Sequence, residues 1–156
     1  MRVVTLSAAA AEFIANEAQA SRDGTETGGI LLGHDHGATI AVTLAGGPGP
    51  RAVRSPGRFK RDVAHAQQVA DDAYEVDGSV WIGDWHTHPR GPVAPSDVDL
   101  DTYLSHVSDE SLGFERFLSL IVLPCPDHGW EHVTVVAWLI DHAAVELAEL
   151  QAEGRA

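Results

Sequence analysis

Residues 79–89, with the sequence SVWIGDWHTHP, form the most informative segment of the chain. Ser79–Trp85 combines aromatic and branched apolar side chains, which is typical of a β-strand. His86 and His88 follow where that strand ends. Side chains two residues apart on a strand project from the same face, so the two imidazoles are expected to converge while Thr87 points away.

Helices and strands alternate on both sides of this segment. The pattern predicts one α/β domain over residues 1–156, with a mixed sheet flanked by helices, a core at about residues 3–140 and a helical tail within 141–156. The predicted helices are Ser7 to about Ala20, Asp62–Val76, Ser96 to about His106 and, in the tail, Ala143–Gln151; the other predicted strands are Val3–Leu6, Gly29–Gly33, Thr39–Leu44, Phe117–Leu123 and His132–Ile140.

The segment 46–57 interrupts this alternation, since it holds three of the eight prolines and four glycines. It is predicted to be a mobile loop. Half of the ten basic residues lie in or beside it, and two explanations are open: they contact acidic parts of a partner, or they are solvated loop charges. These residues are Arg51, Arg54, Arg58, Lys60 and Arg61.

Composition excludes several classes of protein. The 156 residues carry 10 basic and 23 acidic side chains, a formal net charge of −13, which argues against binding to nucleic acids or anionic membranes. Cys125 is the only cysteine, so no internal disulfide forms. No secretory leader or membrane-spanning run is evident, and a soluble cytoplasmic protein is expected.

A third metal-binding group follows the two histidines. Asp99 lies three residues after Ser96, in the first turn of the predicted third helix. Two imidazole nitrogens and one carboxylate oxygen leave one position open for water, as in catalytic zinc sites. The Ser-x-x-Asp spacing is also typical of a helix cap, with Ser96 as the capping residue. A cap at Ser96 is compatible with a metal site that includes Asp99.

Metal-assisted hydrolysis also needs a base that moves protons. Glu26 is the candidate, because it precedes the pair Gly28 and Gly29, which lets the backbone pass close to a neighbouring element. Taken alone, Glu26 is as readily explained as a solvated loop acid.

Together these residues resemble the metalloprotease motif of the JAB/MPN (JAMM) family. The similarity rests on ETGGILLG at residues 26–33, followed by His-x-His, seven residues, Ser, two residues and Asp; IGDWHTHP at residues 82–89 is similar to bacterial members. The resemblance implies a cytidine-deaminase-like α/β fold and a zinc isopeptidase or peptidase that cleaves after the C-terminal glycine of a ubiquitin-like or sulfur-carrier-like protein. It implies that Zn²⁺ is bound by His86, His88 and Asp99, that Glu26 is the general base and acid, and that Ser96 stabilises the oxyanion.

Two other functions remain open at this point. The domain is alternatively a catalytically silent MPN-type interaction module, or a zinc hydrolase of another small peptide substrate. An edge strand beside the site is expected to hold an extended tail by β-augmentation. The oligomeric state is not predicted.

The remaining candidates have simpler explanations. His34 and His36 are predicted to lie in a solvated turn, and Cys125 lacks a second motif that would support a nucleophile. Trp81 and Trp85, four residues apart on a strand, are expected to share the face opposite the histidines and to be core residues. Asp84 is expected on the histidine face, either hydrogen-bonded behind a ligand or solvated. 

Overall fold

A mixed sheet of seven strands closes on itself as a barrel in the computed structural model, which describes residues 1–21, 23–124 and 133–153. The strand order is β1-β3-β2-β6-β7-β8-β9, and β4 and β5 form a separate hairpin. The strands are β1 (Val3–Leu6), β2 (Gly28–Asp35), β3 (Thr39–Ala45), β4 (Val53–Ser55), β5 (Arg58–Lys60), β6 (Val80–Thr87), β7 (Phe117–Leu123), β8 (Thr134–Ile140) and β9 (Val145–Ala152). The helices are α1 (Ala8–Ala20), α2 (Val63–Asp77) and α3 (Asp97–Ser108).

The two faces of the sheet carry different helices. On β2, Leu31 packs into the main core with Ile14 of α1, whereas its neighbours Ile30 and Leu32 pack with Ala66 of α2 on the opposite face. Helix α3 covers β7 and β8. This arrangement confirms the predicted α/β class with a mixed sheet flanked by helices; a cytidine-deaminase-like fold stays a prediction.

Each helix begins with a side-chain cap. Ser7 accepts a hydrogen bond from the N–H of Ala10 at the start of α1, and Asp62 accepts one from the N–H of His65 at the start of α2. These caps satisfy N–H groups that have no partner within the helix. The predicted starts of α1 and α2 are therefore confirmed.

The predicted helical tail at 143–151 is wrong, because Val145–Ala152 is a strand. Its Leu, Ala, Glu and Gln residues favour a helix when judged locally. However, β9 pairs with β8 on one side and with β1 on the other, and so closes the barrel. The pairing of two otherwise open sheet edges overrides the weak local preference.

The segment 46–57 is also more ordered in its backbone than a loop. Strand β4 lies within it and pairs antiparallel with β5, with Arg54 opposite Phe59. The hairpin leads directly into the cap of α2. The prediction of an irregular segment is therefore corrected from Val53 onward.

The two tryptophans lie on opposite faces, contrary to expectation. Trp81 pairs with Leu32 and Gly83 pairs with Leu31, so Ile82 has no partner of its own in this ladder. This β-bulge changes the alternation of side chains. Trp85 is fully buried in the main core, whereas Trp81 packs on the face that carries α2 and α3.

Several residues lie outside the described part of the chain. Among them are Cys125 and His132. His132 is the first residue of the strand predicted over His132–Ile140. Within the described part, no helix has the length and apolar character needed to cross a bilayer.

Candidate metal centre

Two histidines and one aspartate meet at the end of β6. His86 lies near the end of that strand, His88 follows it, and Asp99 lies in the first turn of α3. The Nε2 atoms of the two histidines are 2.9 Å apart, and each is 3.2 Å from Oδ2 of Asp99. The structure thus brings together the three ligands predicted from the sequence, and among the described residues they form a group able to hold a metal ion.

The donor atoms fit a small divalent ion. For ligands at about 2.0–2.1 Å in tetrahedral geometry, neighbouring donor atoms are about 3.3 Å apart, close to the three distances observed. Nδ1 of His88 lies 2.7 Å from the carbonyl oxygen of Pro92. When Nδ1 carries the proton and donates it to that carbonyl, Nε2 keeps its lone pair for a metal.

Tyr103 lies near Nδ1 of His86, as the Pro92 carbonyl lies near Nδ1 of His88. Its hydroxyl oxygen is 3.5 Å from Nδ1 of His86 and accepts a hydrogen bond of 2.9 Å from Ser119. Both side chains are buried. Sequence reasoning missed this pair, although Tyr103 lies four residues after Asp99 on α3 and therefore on the same helix face.

Ser96 and Asp99 form a reciprocal cap at the start of α3. The N–H of Asp99 donates to Oγ of Ser96 at 3.1 Å, and the N–H of Ser96 donates to Oδ2 of Asp99 at 2.8 Å. The same carboxylate oxygen faces both histidines. The capping role expected for Ser96 is confirmed, and the cap fixes Asp99 in its position toward His86 and His88.

Glu26 lies in the same cleft and is held by its backbone. Its N–H donates to the carbonyl of Ser55 at 2.9 Å, and its carbonyl accepts from Nε of Arg54 at 3.1 Å. The next residue but one, Gly28, is paired with His86 in the β2–β6 ladder. The short spacing in sequence therefore places the Glu26 side chain beside the end of β6.

Burial and charge set the protonation of these groups. Burial raises the pKa of Glu26 above its usual range, although the two histidines oppose this shift. Burial acts in the same direction on Asp99, but hydrogen bonds from His86 and His88 outweigh it and hold the pKa of Asp99 far below its usual range. Burial alone would lower the pKa of His88, yet its contacts with Asp99 and Pro92 raise it.

The cleft continues from the metal ligands along β6 and has a volume of about 360 Å³. Asp84 lies in it and pairs with Arg61 at 2.7 Å, while its other oxygen accepts from Nε1 of Trp81 at 3.1 Å. The guanidinium of Arg61 also lies over the Trp81 ring, 4.8 Å from its centre. Among the described residues, Asp84 forms no hydrogen bond with His86 or His88. Its pair with Arg61 instead anchors the segment after β5 to β6.

The second His-x-His pair is separate from this centre. His34 belongs to the end of β2, and His36 is exposed in the turn that follows. Their rings stack at 5.9 Å, while the intervening Asp35 pairs with Arg116. The structure agrees with a surface turn, although β2 extends two residues further into it than expected.

Two imidazoles, one carboxylate and a nearby glutamate in an open cleft are the arrangement of metal-dependent hydrolases. The chain belongs to the prokaryotic JAB family: the model of prokaryotic homologs of the JAB domain matches residues 7–142. The resemblance to JAB/MPN metalloproteases is therefore confirmed.

Curated relatives share part of the chain. Two proteins named CD-NTase/cGAS isopeptidase are 32% identical to this chain. The protein from Escherichia coli (strain TW11681) matches over 100 residues and the protein from Vibrio cholerae serotype O1 over 90 residues. These regions cover 63% and 56% of this chain but only 62% and 58% of those proteins. A probable metalloprotease of Sinorhizobium fredii, y4qB, is 41% identical over 68 residues, 42% of each chain.

A solved structure supports the fold. The solution structure of protein DSY2949 from Desulfitobacterium hafniense is similar with a TM-score of 0.69 and 22% identity. The similarity covers 97% of this chain and 94% of that protein. It extends over nearly the whole mixed sheet and its helices.

Proposed function

We propose that this protein is a zinc-dependent isopeptidase or peptidase that cleaves after the C-terminal glycine of a ubiquitin-like or sulfur-carrier-like protein. The observation that carries the proposal is the convergence of three donor atoms from His86, His88 and Asp99 within 4.8 Å. Glu26 lines the same cleft as His86 and Asp99. Zinc is the proposed ion because two imidazoles and one carboxylate suit it.

The ligands would be held ready by their neighbours. His88 is oriented by the Pro92 carbonyl and Asp99 by the cap with Ser96. When bound, zinc supplies Lewis acidity for the scissile carbonyl and makes water a stronger acid. The low pKa of Asp99 keeps its carboxylate charged at neutral pH, which favours binding of a cation.

Glu26 would move the proton. Its carboxylate accepts a proton from the attacking water and returns it to the leaving amine nitrogen. Burial, which raises its pKa, makes Glu26 a better base than a solvated glutamate and a usable acid in the second step. Its backbone bonds to Ser55 and Arg54 hold it beside the end of β6.

Ser96 has a hydroxyl proton available for catalysis. Within the cap its Oγ is an acceptor, so the O–H is free to donate to the carbonyl oxygen of the substrate as negative charge develops there. The cap and the catalytic role thus use different parts of the same hydroxyl.

The names of the relatives favour an isopeptide bond as the target. Both CD-NTase/cGAS isopeptidases carry that activity in their names, and we extend it to this chain, with a flexible protein tail as the partner and the bacterial cytoplasm as the location. The cleft is open at the surface, which suits a tail better than a folded substrate.

The test uses zinc-loaded protein and fusions of a ubiquitin-like domain whose Gly-Gly tail is joined either to a main-chain amine or to a lysine side chain. We expect cleavage directly after the terminal glycine, shown by the product masses, with the lysine-linked substrate preferred. A protein that binds these fusions but cleaves neither, with zinc present, would instead be an interaction module. Cleavage of short unrelated peptides alone would favour the general peptide hydrolase.

A further inference from the structure

One wall of the catalytic cleft is basic, although the chain as a whole is strongly acidic. The formal net charge is −13, with only ten basic residues. Three of these, Arg58, Lys60 and Arg61, line the cleft from β5 and the residue that follows it.

Two of these three cations have no side-chain partner among the residues that the structure describes. Arg61 is paired with Asp84, and Arg54 of the same hairpin donates to Ser21 at 2.6 Å and to the Glu26 carbonyl. Arg58 and Lys60, by contrast, are exposed and form no side-chain hydrogen bond or ion pair with any residue that the structure describes. They are two residues apart on β5, and so share one face of the strand.

The hairpin that carries them is fixed at both ends. Ser55 of β4 accepts a hydrogen bond from the N–H of Glu26, and the Arg61–Asp84 pair ties the end of β5 to β6. The backbone at Arg58 and Lys60 is therefore held at a set position relative to Glu26. The two exposed side chains still lose rotamer freedom when they pair with a substrate, which keeps the gain from each pair small.

The carboxylates that line the cleft form no ion pair with Arg58 or Lys60. Its carboxylates are Glu26, Asp84 and Asp99, of which the first and last lie at the proposed reaction centre and Asp84 is paired with Arg61. Helix α3 contributes the uncharged side chains of Val98 and Thr102 to the lining, together with Asp99, Tyr103 and His106. Arg58 and Lys60 therefore remain available to pair with acidic groups on a molecule that enters the cleft.

We infer that Arg58 and Lys60 select substrate tails that carry Asp or Glu side chains a few residues before the terminal glycine, and disfavour tails with Arg or Lys there. The inference rests on the proposed function, since it names the kind of tail that the same cleft accepts. Exposed ion pairs contribute modestly, so two of them predict a preference of about three- to tenfold for an acidic over a neutral tail.

The test compares three tails that differ only at the third to fifth positions before the glycine: Glu, Gln or Arg. For each tail, kcat/KM is measured with the zinc-loaded protein and the fusion, and Kd is measured with a labelled peptide that ends in the free glycine carboxylate and cannot be cleaved there. The variants are Arg58→Glu and Lys60→Glu. Arg51→Glu is the control, because Arg51 is exposed in the same segment and does not line the cleft. This substitution changes the net charge by the same amount as each cleft variant.

We expect the wild type and the control to prefer the Glu tail in both measurements, with a preference that shrinks at high salt. Each cleft variant should lose or reverse that preference. Equal Kd values for the three tails, or an equal loss in the Arg51→Glu control, would overturn the inference. If no fusion is cleaved but the peptides still bind with the acidic preference, the proposed function fails and the binding inference stands. If all three fusions are cleaved equally well, the proposed function stands and the inference fails.

Discussion

Gly28 lies directly opposite His86 in the β2–β6 ladder, and a Cβ atom on residue 28 would come within 2.8 Å of the His86 Cβ and would overlap the carbonyl oxygen of Trp85. Only a residue without a side chain allows the two strands to approach this closely. The strand that follows Glu26 is thereby placed against the strand that carries the histidine ligands.

We expect Gly28→Ala to force these strands apart. The change should lower the free energy of unfolding by about 1–3 kcal/mol, the range for overpacked sites, and should weaken metal binding because His86 shifts. Chemical denaturation and metal titration measure the two effects. Gly57→Ala is the matched control, since a Cβ there meets no atom within 4 Å. Unchanged metal affinity in Gly28→Ala would show that the close approach does not position His86.

Ser96→Ala separates the capping role from the catalytic one. Loss of the cap should cost about 0.5–2 kcal/mol of stability, and loss of the O–H donor should lower kcat by about 10² to 10³. Ser7→Ala removes the cap of α1 outside the cleft and should reduce stability while kcat stays unchanged. Thermal unfolding and single-turnover cleavage are compared for both variants. If Ser96→Ala loses only stability, capping is its sole role.

Metal affinity should fall as the pH is lowered. The pKa of His88 is raised in the metal-free protein, so its imidazole must lose a proton to bind a metal, whereas the low pKa of Asp99 means that its carboxylate is already charged. Below the raised pKa, affinity should decrease by up to about tenfold per pH unit for each proton displaced. Competition titrations with a chelator between pH 6 and pH 8 measure this, after correction for the chelator's own protonation. A constant affinity over that range would contradict the assignment of His88 as a ligand.

Glu26→Gln should leave the metal in place and abolish turnover. The amide cannot accept the proton from water, and a loss of at least about 10² to 10⁴ in kcat is expected. Because Glu26 is not among the three residues whose donor atoms converge, metal content should remain that of the wild type. Activity close to that of the wild type would exclude Glu26 as the base.

Local sequence signals predicted α1, α2 and α3 and the residues that converge at the candidate metal centre. Ser7, Asp62 and Ser96 cap the three helices, and each accepts a hydrogen bond from the N–H group three residues later. Such short-range contacts can be predicted from the local sequence. The spacing of His86 and His88, with Asp99 in the first turn of the following helix, predicted the group of donor atoms that converges in the structure.

Features that depend on long-range pairing could not be predicted in this way. The last strand has helix-favouring residues and exists because two distant edges pair with it. The face of Trp81 depends on a bulge at Ile82, which appears only when β2 and β6 are aligned. The contact between Tyr103 and Ser119 likewise joins α3 to β7 across the fold.

Binding of a catalytic zinc ion by His86, His88 and Asp99 is tested by metal analysis of the purified protein after zinc loading and removal of excess metal. We expect about one zinc per chain in the wild type and a large loss in His88→Ala, with folding of the variant verified by circular dichroism. A wild type that retains no zinc, or a folded His88→Ala variant that retains one zinc per chain, would contradict it.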